Sequence, residues 1–564
     1  MADRLAIVVA QTNPVVGDLD DNLREIIRIV RDNKAADLVV FPECALTGYP
    51  LDDLVTRPGF LTDVAARLDA LAAEVQSLGG PHVLVGAPDR GADLPFNGAF
   101  LLAPHGGRRV AHKHDRPNDG PFDEVRTFAL GDLRGPFAIK GVRVGVMICE
   151  EMWHQPVARH LAGELADLLI VINGSPYTRD KHSQLRIPHA RRRVAETGLP
   201  LLYVNLVGGQ DELVFDGASF ALSSRGDVVM QAPAFQTCER VVIYDRGGLT
   251  TDSAEGAGGG YPGTNVGDYQ ACVLALRDYV EKSGFPGVVI GESGGLDSAV
   301  VSAMAVDALG PDRVLAVTMP SRITSGENLS DAHAVAESLG IRIEEIPIAP
   351  MVAAFEAALA LPDDPGVAIE NVQARVRMTV LMRYSNARGL LPISTGNKSE
   401  LSVGYCTLYG DMAGGFNPIK DIYKTEVFEF AKLRNRFAPD ICLGPANRVI
   451  PPQVIAKPPS AELVAGQTDE ATLGPYPVLD QLLRSIVDAE LPAREAARIA
   501  QVALRDAFDE ATSARFLTVD HAKFVGNLVR IAEHKRRQGA IGPKIGPRAF
   551  GRDRRYPVVN RHRF

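Results

Sequence analysis

The sequence predicts an α/β protein in two parts: a first part of many short strands mixed with helices, and a second built on a parallel sheet covered by helices. Three observations predict this. Short apolar runs of strand length recur through the first 245 residues. A stretch rich in Gly and Ser, RGGLTTDSAEGAGGGYPGTN, then interrupts the pattern with almost no large apolar residues. Beyond it, strand-length runs alternate with helical stretches, the signature of a parallel sheet with helices on its faces. The expected division is therefore 1–245, a linker at 246–265, and 266–564.

In the first part, strands are expected at Leu5–Ala10, Asp37–Phe41, His82–Gly86, Val142–Ile148, Leu168–Ile172 and Leu201–Asn205. Ala218–Leu222, Val228–Gln231 and Arg240–Tyr244 read as a β-meander. The second part opens on a helix near Gly267–Lys282, then strands at Val288–Ile290, Val314–Thr318, Ile341–Ile346 and Leu391–Thr395. The last stretch is mostly helical and has a basic tail, His534–Arg555.

A chain of 564 residues, 46% hydrophobic and 23% charged, is long enough for more than one well-buried globular core. The net charge of -9 argues against bulk nucleic-acid binding, and the basic tail is read as local neutralisation of anionic substrates and interface contacts. Six scattered cysteines, with no CxxC pair, fit a reducing cytosol. The apolar run in MADRLAIVVAQTNP is too short for a signal peptide, and no run is long enough to span a bilayer. A cytoplasmic protein with neither membrane nor nucleic-acid partner is expected.

The most specific motif is GVVIGESGGLDSAV, Gly287 to Val300. A strand, a loop of small residues and a helix N-terminus make an anion site. The loop ends in Leu296-Asp297-Ser298 and lacks the lysine of a Walker loop. That lysine belongs to γ-phosphoryl transfer. A loop that grips pyrophosphate as a leaving group needs amides, hydroxyls and a metal, and Asp297 supplies an oxygen ligand of the kind Mg²⁺ prefers. SGGLDS after a strand resembles the pyrophosphatase-type loop of enzymes that adenylate a carbonyl oxygen and then admit a nitrogen or sulfur nucleophile.

Three segments of the first part each place a reactive residue at a strand end: Glu43 in FPECALTGYP, Lys113 in RRVAHKHDRPN and Cys149 in VGVMICEEMW. Singly each is ordinary. Together they suit amide hydrolysis: a Cys nucleophile, a Lys that lowers the thiol pKa and steadies the oxyanion, and a Glu that relays protons. The combination resembles the nitrilase, or carbon–nitrogen hydrolase, superfamily over about Leu5 to Tyr244. The resemblance implies an α-β-β-α sandwich, with Cys149 as nucleophile, Lys113 as charge partner and Glu43 as base. Glu124, in PFDE, is then a second acidic member of the site. NGSPY resembles the family's NASP stretch, and Ser175 and Lys181 match positions that hold glutamine. The glutamine-using branch usually has a tyrosine after K-x-x-x-P-N, where this chain has Asp119.

The second part adds ENVQARVRM, STGNKSELSVGY, KPPSAEL, GQTDE and GPRAFGRDRRYP. These resemble, in order, the synthetase domain of the glutamine-dependent NAD synthetase family. The resemblance implies ATP contacts at Gly291, Glu292, Ser293, Gly294, Gly295, Leu296, Asp297, Ser298 and Thr395. It implies deamido-NAD contacts at Asn371, Glu400 and Lys535, and Mg²⁺ at Asp297 and Glu400. It further implies a homo-oligomer, at least a dimer through this domain. Two rival readings are a tRNA-modifying ligase using the same loop, and an ammonia-only synthetase whose hydrolase half no longer uses glutamine.

Overall fold

The structure, a computed structural model, describes residues 4–251, 260–359, 366–459, 470 and 473–562. The chain divides into two compact units, Met1–Gly263 and Thr264–Phe564.

Among its described residues the first unit holds two large sheets. One has seven strands in the order β15 (Gly248–Thr250), β14 (Cys238–Asp245), β1 (Arg4–Gln11), β2 (Leu38–Val40), β3 (His82–Asp89), β4 (Phe96–Leu102) and β5 (Arg108–His112). The other has six, in the order β13 (Val228–Gln231), β12 (Phe220–Leu222), β9 (Leu201–Asn205), β8 (Leu168–Asn173), β7 (Val142–Ile148) and β6 (Phe137–Ile139). A separate hairpin joins β10 (Val207–Gln210) to β11 (Leu213–Asp216).

Side-chain alternation along the strands builds the layers. Leu5, Ile7 and Val9 of β1 share a cluster with Val144, Val146 and Ile148 of β7, so this core lies between the sheets. Val8 and Ala10 point the other way, onto helices Leu19–Asp32 and Pro58–Leu78. Leu169 and Val171 of β8 likewise leave the central core for helices Pro156–Gly163 and Ile187–Thr197. The result is the α-β-β-α sandwich.

Two expectations change. The three-stranded meander does not form: β12 and β13 pair in the second sheet, while β14 crosses to the first and runs antiparallel to β1. Val242 and Tyr244 of β14 fill the same inter-sheet core as Ala221 and Met230, so burial is satisfied from the opposite side. The expected linker begins as a strand, because β15 pairs with β14 and buries Leu249, and its last two residues open helix Thr264–Lys282. Residues 252–259 lie outside the described residues.

The second unit is built on a four-stranded sheet, β18 (Arg342–Glu345), β17 (Val314–Thr318), β16 (Val288–Gly291) and β19 (Leu391–Ile393), in that spatial order. Every pairing is parallel. The chain starts at β16, moves outward through β17 and β18, then returns to the other side of β16 with β19. That reversal is a topological switch point, where ligands bind outside the carboxyl ends of the strands. A helical layer that includes Tyr476–Leu483, Ala493–Ala503 and Val519–Ile531 has its own apolar core.

Candidate active sites

In the first unit, Cys149 follows directly on β7, and its φ of +46° lies in the left-handed region. A non-glycine residue held there carries strain of about 1–3 kcal/mol, which turns its side chain off the strand axis. Glu43 follows β2 and Lys113 follows β5, so three strand ends converge. Lys113 Nζ lies 2.8 Å from Glu43 Oε1 and 2.9 Å from Glu124 Oε2, and all three groups are buried. Glu43 Oε1 also accepts from Asn97 Nδ2 at 2.7 Å, and Glu43 Oε2 from the Gly174 amide at 2.7 Å. Tyr49 Oη donates to Glu124 at 2.9 Å.

Burial pulls the Lys113 pKa down, but Glu124 and Glu43 outweigh it and hold the ammonium well above the ordinary lysine range. The Cys149 thiol moves opposite to the sequence expectation. Burial, then the charge of Glu43, push its pKa well up, and the Lys113 ammonium offsets them only in part. The resting cysteine is therefore a thiol.

Ser175 and Lys181 stand at the same end of the second sheet. Ser175 is buried, and its amide donates to Asn205 Oδ1 at 2.9 Å. Lys181 Nζ donates to the Pro176 carbonyl at 3.2 Å and lies 5.6 Å from the Trp153 ring centre. Burial, helped by the charge of Arg186, lowers its pKa to about 8. Asp119 is exposed, close enough to Glu150 to raise that group's pKa after burial has done so.

Three supports went unread in the sequence. Asn97 and Tyr49 carry no motif. Glu151, the second Glu of CEEMW, accepts from the His114 amide at 2.5 Å and the Ile148 amide at 2.6 Å, tying the Lys113 segment to the Cys149 strand.

In the second unit, a cleft of about 720 Å³ opens at the carboxyl ends of β16, β17 and β19. Gly291, Glu292, Ser293, Gly295, Leu296, Asp297, Ser298, Asn371, Thr395, Glu400 and Lys535 all line it. Gly294 is not among the lining residues. It sits behind the loop at φ +77°, where a Cβ would overlap the Asn328 carbonyl. Glu292 lines the cleft, but its side chain turns inward. The carboxylate accepts from the Gly294 amide at 3.0 Å, Ser298 Oγ at 2.6 Å and Ser302 Oγ at 2.7 Å. It braces the loop rather than offering its charge to an anion.

Helix Leu296–Leu309 starts in this loop, so its unpaired amides face the cleft. Glu400 lies in the first turn of helix Lys398–Val403, where it and Asn397 cap each other. Asn371 accepts from Thr407 Oγ1 at 2.7 Å, and Lys535 donates to the carbonyls of Gly404 and Cys406, both at 2.7 Å. Lys424 carries no motif. It bonds Asp297 and stands 3.8 Å from Glu400, between the two expected metal ligands. The other oxygen of Asp297, Oδ1, is buried without a hydrogen-bond partner.

The basic tail differs from its expectation. Lys535 lines the cleft, but Arg536 and Arg554 bond Glu533, Lys544 bonds Asp553 and Arg548 bonds Glu490. Most of these charges brace the fold. Of KPPSAEL and GQTDE, residues 460–469 lie outside the described residues, whereas Lys457 lines the cleft and bonds Asn328 at 2.6 Å. Among the described residues no helix is long and apolar enough to cross a membrane.

Comparison with known proteins divides the chain at the same place. Residues 4–246 match the carbon-nitrogen hydrolase family model, and residues 268–538 match the NAD synthase model. The glutamine-dependent NAD(+) synthetase of Rhodobacter capsulatus is 45% identical over 100% of both chains. That of Xylella fastidiosa strain Temecula1 is 42% identical, again over 100% of both. Among solved structures, the glutamine-dependent NAD+ synthetase of Acinetobacter baumannii, in complex with ADP, has a TM-score of 0.74 at 37% identity and covers 99% of each chain. Similarity of this extent, running through both units, places the chain in the family of glutamine-dependent NAD(+) synthetases.

Proposed function

We propose that the chain amidates deamido-NAD to NAD, driven by ATP, with ammonia drawn from glutamine. The observation that carries this is the cleft at the switch point. It gathers the SGGLDS loop, Thr395, Asn371, Glu400 and Lys535 from separate segments.

In the first unit, Cys149 Sγ attacks the amide carbon of glutamine while Glu43 takes the thiol proton. Lys113 stabilises the charge that develops as the tetrahedral intermediate forms. Collapse forms the thioester, and Glu43 hands the proton to the departing ammonia. Water, deprotonated by Glu43, then releases glutamate. The raised thiol pKa fits this sequence, because proton removal is concerted with attack. Ser175 and Lys181 hold the substrate, with the Lys181 ammonium facing its α-carboxylate, and Asp119 sits at the rim.

In the second unit, the nicotinate carboxylate of deamido-NAD attacks the α-phosphorus of ATP and pyrophosphate leaves. Ammonia then attacks the acyl carbon and AMP leaves. Loop amides and the helix N-terminus at Gly295 hold phosphate charge. Thr395 contacts ATP, and Asn371, Glu400 and Lys535 contact deamido-NAD. Asp297, with its unpartnered Oδ1, and Glu400 would offer Mg²⁺ the oxygen ligands it prefers once the Lys424 ammonium between them gives way. When bound, Mg²⁺ neutralises charge on the phosphates. An exposed site would lose the adenylate to water, so direct supply of ammonia favours amidation. The reading includes a cytoplasmic homo-oligomer, at least a dimer through the second unit, which light scattering on the purified protein checks.

The test is NAD formation from deamido-NAD, ATP and Mg²⁺, with glutamine or ammonia, for the native protein and Cys149→Ala. The native protein is expected to use both donors and the variant ammonia alone. No NAD from either donor sinks the assignment. Ammonia use alone by the native protein would point to Asp119 and a hydrolase half that no longer takes glutamine.

A further inference from the structure

A chain of polar contacts in the first unit runs from the segment between the units to the base of the hydrolase site. Tyr261 stands three residues before helix Thr264–Lys282. Its ring stacks on His182, with centres 4.2 Å apart and planes 9° from parallel. Its hydroxyl donates to Asp216 Oδ2 at 2.7 Å. Asp216 is fully buried and receives Arg186 Nη1 at 2.7 and 2.8 Å. The rest of the Arg186 guanidinium grips one turn: Nη2 donates to the Ser175 carbonyl at 2.7 Å and the Pro176 carbonyl at 2.9 Å, and Nε to Ser175 Oγ at 3.3 Å. The residue before this turn, Gly174, donates its amide to Glu43 Oε2.

A buried arginine is held in place only by its partners, and a planar guanidinium passes a shift of its anchor on to the groups it grips. The tyrosine hydroxyl fixes one oxygen of that anchor. We propose that Tyr261 is a positioning residue for glutamine hydrolysis, acting through Asp216 and Arg186 on the Ser175–Pro176 turn and, through Gly174, on Glu43. The segment that leaves the hydrolase unit thus completes that unit's own substrate site. This rests on the reading of the first unit as the glutamine-hydrolysing site.

The test is Tyr261→Phe in the full chain, which keeps the ring stack and removes one hydroxyl. Glutamine hydrolysis and NAD formation with either donor are measured for native and variant. The expected result is a rise of about three- to tenfold in KM for glutamine, the net worth of one hydrogen bond. The kcat should change less, and the rate with ammonia serves as the folding control. An unchanged KM, within twofold, overturns the inference. So does an equal fall of the glutamine and ammonia rates, which marks general damage. If the native protein releases no glutamate from glutamine, the reading of the site fails first, and the inference fails with it.

Discussion

In the proposed reaction Cys149 loses a proton in a place where burial and the charge of Glu43 both oppose a thiolate. Lys113 is outnumbered, with one ammonium against two buried carboxylates. The two partners should fail differently. Glu43→Gln removes the base, so glutamine hydrolysis should fall by about 10²–10⁴-fold. It also turns a donor toward the Gly174 amide, at about 1–3 kcal/mol. Lys113→Met leaves two carboxylates buried without a cation, and should destabilise the unit more, by about 3–5 kcal/mol. Urea unfolding beside a glutaminase assay checks the order. A stable Lys113→Met protein would mean that one of the carboxylates is already protonated.

Lys181 gives a pH signature. Burial lowers its pKa to about 8, so its ammonium is charged below that pH and neutral above it. In the proposed site, a partner for the glutamine α-carboxylate is then lost as pH rises through about 8. For stability the sign is opposite. The folded pKa lies below the ordinary lysine value, so the cost of burying the charge is present below about 8 and relieved above it. The KM for glutamine should climb above pH 8 in the native protein and stay high and flat in Lys181→Gln. Parallel profiles would remove Lys181 from the substrate site.

At the scale of elements, one loop carries the second site, and Gly294 shows how narrowly it is built. The left-handed backbone and the Asn328 carbonyl together exclude a side chain. Gly294→Ala should cut NAD formation with either donor by more than about tenfold, given the strain of about 1–3 kcal/mol it introduces. Glutamine hydrolysis should continue. If both donors remain as good, the loop's shape does not set the rate.

The sequence was legible where one physical signal dominated. Val142–Ile148, Leu201–Asn205, Val228–Gln231 and Val314–Thr318 were placed to the residue, because each is a β-rich run closed by turn residues. Phe96–Leu102 and Arg108–His112 passed unread: one follows a polar loop, and the other is mostly polar at a sheet edge. Sheet membership was not legible, since β14 could fill the same core from either sheet. The residues proposed to react stand at strand ends and are marked by motifs. Their supports, Asn97, Tyr49, Arg186 and Lys424, are not, because their partners lie 30 to 127 positions away along the chain.

At the scale of the whole molecule, each unit has its own sheets and its own apolar cores. The second unit contains every residue proposed for adenylation. Expressed alone, residues 264–564 should make NAD from ammonia and not from glutamine, measured with the assay above. Failure of the purified fragment to use ammonia, with a native-like circular dichroism spectrum, would show that adenylation needs the first unit.

The sheet change of β14 bears on how such a chain arises. Arg4 faces Asp245 across β1 and β14, so the unit's first strand and its last long strand lie side by side, about 5 Å apart. A second protein gene joined beyond Tyr261, after β15 and the bond to Asp216, would disturb no buried layer of the sandwich. The last threshold is Tyr261, and lengthening the chain past it adds a neighbour without rebuilding the house.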